Sequence, residues 1–67
     1  MVINKYLEVY GSSKESFADA ANNAVIEASK TVRGIHSGEV TKIHFKVKNN
    51  KIVEYNSSLK LAFEIER

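Results

Sequence analysis

Few side chains in this 67-residue chain are equipped for covalent chemistry: there are two histidines, His36 and His44, and no cysteine. Nucleophilic catalysis needs a nucleophile, a base beside it and a third group that orients the base. His36 and Ser37 are adjacent and can touch on a loop, but nothing in the local spacing supplies the orienting group. Both histidines therefore read as surface polar residues, and the chain as a protein that is not an enzyme. A zinc site wants three or four ligands, which two histidines on a loop and a strand do not make. The carboxylates read first as helix caps and solvated pairs. They could hold a hard divalent cation where several copies of the chain converge on an axis. Lys42, Lys46, Lys48, Lys51 and Lys60 gather in one region, interleaved with His44, Glu54, Asn56 and Ser58. Phosphate binding grows with the number of unopposed cations, so a nucleic-acid partner is not expected. A single anionic nucleotide or coenzyme is a smaller partner that such a face suits.

Composition narrows the field further. Ten basic and eight acidic residues leave a net charge of +2, and 43 % of residues are apolar. That is globular composition, too hydrophobic for a disordered tail. No apolar run approaches the roughly 18 residues of a membrane span. The start, Met1-Val2-Ile3-Asn4-Lys5, lacks the basic and apolar regions of a signal peptide, so the expected location is the cytoplasm. So short a chain makes one domain, residues 1–67, and buries only about 60 % of the surface its unfolded form exposes. Without cysteine there is no disulfide or thiolate site to staple it. Oligomerisation is the remaining means of support.

The elements that must position these residues follow from periodicity. In residues 2–10, Ile3, Leu7 and Val9 share one face at period two, with Tyr6, Glu8 and Tyr10 on the other. Lys5 interrupts the apolar face. Gly11-Ser12-Ser13 is expected to end this strand, with Ser13 capping a helix over 14–33. Phe17, Ala20, Ala21, Ala24, Ala28, Val32 and Ile35 form its apolar stripe. Lys30 and Arg33 belong in the last turn, and Gly34 supplies the left-handed stop. Four alanines in the stripe imply close approach to a sheet.

Residues 38–48 and 51–66 read as two further strands, with Ile43, Phe45 and Val47 on one face and Val53, Tyr55, Leu59, Leu61, Phe63 and Ile65 on another. A three-residue loop over 48–50 brings both apolar sets together by pairing 47 with 51, 45 with 53 and 43 with 55. It requires a left-handed residue at Asn50. The expected fold class is α+β: β-α-β-β, a three-stranded antiparallel sheet of order 1-3-2 packed on one amphipathic helix. The helix should cover Ile3, Leu7, Phe45, Leu59, Leu61 and Phe63. The opposite face carries Tyr6, Glu8, Tyr10, Lys42, His44, Lys46, Glu54, Asn56, Ser58 and Lys60. No second helix exists to cover it, so it must meet water, a ligand or another copy of the chain.

Gly-Ser-Ser-x-x-Ser-Phe at 11–17, Ala-Ser-Lys-Thr-Val-Arg at 28–33, Glu39-Val40 and Leu61-Ala62-Phe63 together resemble the dodecin family. The resemblance covers essentially the whole chain and the same element order. It implies a hollow homododecamer that holds flavins (riboflavin, FMN or FAD) at subunit interfaces and stores them without turning them over. In the family the flavin stacks on a Trp just before the Glu-Val of the second strand. The matching residue here is Ser37, within Ile35-His36-Ser37-Gly38-Glu39-Val40. A family Gln that bonds the flavin edge aligns with Asn56, one methylene shorter. The cofactor-binding candidates are thus Ser37, Gly38 and Asn56, with His36 as a substitute ring. Base-on-aromatic stacking is worth about 1–3 kcal/mol, so Ser37 and Asn56 weaken the flavin expectation. Dodecins that lack the Trp include calcium-associated, flavin-free members, which this chain also resembles.

Overall fold

The computed structural model describes residues 2–66, with side chains as far as Ile65. The order is β1 (Val2–Ser13), α1 (Phe17–Ser29), β2 (Ile35–Lys48) and β3 (Lys51–Glu66). The sheet has the order β1-β3-β2, antiparallel at both junctions. The α+β class and strand order expected from the sequence are those found. Strand β3 is central because it alone has an antiparallel partner on each side, and it carries the buried Leu59 and Leu61.

β1 runs through Gly11-Ser12-Ser13 and does not stop before them. All twelve of its residues stay in register with β3, Gly11 against Ser57 and Ser13 against Tyr55. The helix begins three residues later than expected, because Ser16 and not Ser13 is the cap: the Ser16 side chain accepts from the Asp19 N–H at 2.9 Å. Ser13 locks the turn before it. Its hydroxyl accepts from the Glu15 N–H and donates to the Asp19 carboxylate at 2.6 Å.

The helix also ends early, at Ser29, with Lys30 as C-cap. The N–H groups of Thr31 and Val32 still return to the Ala28 carbonyl. Arg33 therefore lies outside the helix. Gly34 is left-handed, with φ of 80°, but five residues beyond Ser29, the last helical residue. There it aims the chain into β2, and its carbonyl accepts from the Glu64 N–H.

Ala20, Ala24 and Ala28 are buried, and the helix settles over Gly11, where a Cβ would collide with the Ala20 carbonyl. Leu7, Val9, Ala21, Val25 and Ile35 complete the core around Leu59 and Leu61. The Ser57 hydroxyl donates to the Phe17 carbonyl at 2.8 Å, and the Phe17 and Tyr55 rings meet edge to face at 4.9 Å.

The hairpin differs from expectation. Asn49 and Asn50 both have positive φ, 53° and 63°, and Lys48 pairs with Lys51. This is a two-residue turn of the I′ kind, whose twist matches that of the strands. The apolar faces agree because of a bulge one step further on. Val47 pairs with Ile52, Lys46 with Glu54 and Phe45 with Tyr55, so Val53 is the extra residue. The expected pairs of 47 with 51, 45 with 53 and 43 with 55 are not formed, and Ile43 lies against Ser57. Two more bulges, at His36 and Thr41, punctuate β2.

The helix does not cover Phe45, which is 52 % exposed. The reason is length. Thirteen helical residues span about 20 Å, whereas the molecule is 53 Å long. Val40, Ile43, Phe45, Val47, Ile52 and Val53 form an exposed apolar strip beyond its reach.

Candidate functional site

In a regular strand, neighbouring side chains point to opposite faces. The bulge between Ile35 and Ser37 breaks that alternation. As a result His36 and Ser37 line the same polar trough, of about 340 Å³, with Asn4, Tyr6, Gly38, Glu39, Lys60 and Ala62. Ala62 forms its floor, flanked by Tyr6 on β1 and Ser37 on β2.

Both ring nitrogens of His36 are engaged. Nε2 lies 3.0 Å from Asn4 Oδ1, and Nδ1 lies 3.0 Å from Ser37 Oγ. An amide oxygen only accepts, so Nε2 carries the proton and Nδ1 accepts from the Ser37 hydroxyl. Asn4 thus holds the ring through a contact that adjacency alone did not supply. It lies 32 residues away in sequence, and no local pattern points to it.

The same β2 segment borders a second cleft on the helix side. This one is apolar, about 320 Å³, and formed largely by Val25, Ile35, Val40, Leu59 and Leu61. His36, Ser37, Gly38 and Glu39 line both spaces. A Cβ at Gly38 would press on the Leu61 side chain.

Asn56 is elsewhere. Ser37 pairs with Ala62 and Asn56 with His44, six positions apart along β3, or about 20 Å at ~3.3 Å per residue. Within the chain the structure does not bring Asn56 to Ser37. Asn56 is only 2 % exposed. Its Oδ1 accepts from the Ser12 hydroxyl at 2.7 Å and its amide donates to Glu54 Oε2 at 3.4 Å. It borders a separate polar trough of about 430 Å³ with Tyr10, His44, Lys46 and Ser58.

The basic residues of this face are partly neutralised. Lys46 pairs with Glu54 at 3.3 Å, and the Lys60 ammonium sits 4.8 Å from the Tyr6 ring centroid. Among the described residues no three His, Asp or Glu side chains converge as a metal site, and no helix is long and apolar enough to cross a membrane.

No curated protein matches the chain. Among solved structures it is similar to dodecin from Streptomyces coelicolor, at 30 % identity and a TM-score of 0.92, covering 98 % of this chain and 94 % of that one. It is similar to a tryptophan-to-phenylalanine mutant of Thermus thermophilus dodecin, at 28 % identity and a TM-score of 0.93, each chain covered in full at 100 %. Dodecin from Streptomyces davaonensis shares the fold at 20 % identity, with a TM-score of 0.93 and coverage of 98 % and 97 %. The sequence model of the dodecin family matches residues 3–66. With the β-α-β-β order, the 1-3-2 sheet and a family match over nearly its whole length, the chain belongs to the dodecin family.

Proposed function

We propose that the protein is a self-assembling small-molecule binding and storage protein, a homododecamer that holds a flavin where subunits meet. The observation that carries the assembly is the exposed strip of Val40, Ile43, Phe45 and Val47, each at least half exposed beside a helix too short to reach it. A contiguous apolar face of that length is an interface signature. Family membership supports the flavin as ligand. The trough at His36, Ser37 and Gly38 is the candidate ligand wall, with His36 as its flat ring and Lys60 as its cation. Asn56 joins it only from another subunit, since the intrachain separation is too great.

Two other ligands have weaker support. A calcium-associated, flavin-free assembly draws support from the serine at the stacking position, but no acidic cluster is formed among the described residues. An anionic coenzyme on the basic face competes with the Lys46–Glu54 pair and the Lys60–Tyr6 contact.

Titration of riboflavin and FMN with the purified protein, read by quenching of flavin fluorescence, tests the ligand. Quenching that saturates at a fixed flavin-to-chain ratio is expected. Absence of quenching with either flavin removes the flavin reading. Sedimentation tests the assembly, with a particle of twelve chain masses as the expected result.

A further inference from the structure

We infer that Ser37 is an activated nucleophile, able to take an acyl group from a small activated ester. This goes beyond ligand storage, and it rests on geometry that storage does not require. Ser37 Oγ, the His36 imidazole and Asn4 Oδ1 form a continuous hydrogen-bonded line, 3.0 Å at each step. That is the arrangement of nucleophile, base and orienting group that activates a hydroxyl. The tautomer is the productive one: Nδ1 is free to accept the serine proton because Asn4 holds the other proton on Nε2. Lys60 lines the same trough and supplies a cation for charge developing on a carbonyl oxygen.

In the proposed step, Ser37 Oγ bonds to the carbonyl carbon of the ester as its proton passes to His36 Nδ1. The tetrahedral adduct collapses with cleavage of the bond to the leaving oxygen. That oxygen departs with the electron pair and takes up the proton from the imidazolium. The products are an acylated Ser37, a neutral His36 and a free alcohol or phenol. Ser37 and His36 touch the reacting atoms, and Asn4 is a positioning residue that acts through His36.

The probe is p-nitrophenyl acetate, with a fluorophosphonate as an independent label for activated hydroxyls. The assembled wild-type protein should release a burst of about one p-nitrophenolate per chain, and peptide mapping should find the acetyl group on Ser37. His36→Gln should slow Ser37 acylation about a hundredfold or more, the range typical of a lost general base. Asn4→Ala should slow it less, and Asn4→Asp should restore the rate, which a merely structural role would not produce. All three side chains are exposed, so these variants leave the core intact. Acetyl groups confined to lysines, or equal Ser37 labelling in wild type and His36→Gln, overturns the proposal. Neither readout depends on flavin, so a protein that quenches neither added flavin yet still labels at Ser37 supports this inference while refuting the flavin reading.

Discussion

At the residue scale, the polar trough sets a hydroxyl beside a ring at the position proposed to meet the ligand. Ser37 offers a hydroxyl, and the ring is supplied next door by His36, turned to the same face by the bulge. An indole at position 37 adds a stacking surface worth about 1–3 kcal/mol. Ser37→Trp is therefore expected to tighten riboflavin binding roughly ten- to a hundredfold, measured by fluorescence quenching against wild type. No gain would mean that position 37 does not face the ligand. The adjacent His36 and Ser37 were legible as a pair in the sequence. Their activation was not, because it depends on Asn4 from another strand. The reading of Asn56 as a free ligand contact also depended on tertiary context. Its amide is committed to Ser12 and Glu54.

At the element scale, the β-α-β-β order and the 1-3-2 sheet could be read from periodicity, because period two and the alanine stripe are local signals. The element ends could not. Ser13 and Ser16 are equally good caps by type, and only the continuation of β1 through Ser13 decides between them. The hairpin register failed for a related reason. The requirement that Ile43, Phe45 and Val47 share the partner's apolar face is satisfied by a three-residue loop or by a two-residue turn with a bulge at Val53, and a pattern cannot tell them apart. The observed turn makes a prediction that the three-residue loop does not. Asn49 and Asn50 are both left-handed, so Asn49→Val as well as Asn50→Val should cost about 1–3 kcal/mol. Asn50→Gly should be neutral or stabilising by up to about 1 kcal/mol. Denaturant midpoints of the three variants check this. A tolerated valine at 49 would contradict the two-residue turn.

At the scale of the whole molecule, the helix secures β1 and one half of the sheet, while the hairpin projects bare. Phe45→Lys places a charge in the centre of the apolar strip without touching the helix-covered core. It is expected to reduce the sedimenting particle well below twelve chain masses. An unchanged particle would move the interface elsewhere.

The proposed assembly through the uncovered strip carries a consequence for melting. A subunit whose apolar arm is finished only by its neighbours draws part of its stability from mass action. Its midpoint of thermal unfolding should climb as protein concentration is raised and fall on dilution. A self-sufficient fold would melt at one temperature throughout. Differential scanning over a hundredfold range of concentration separates the two.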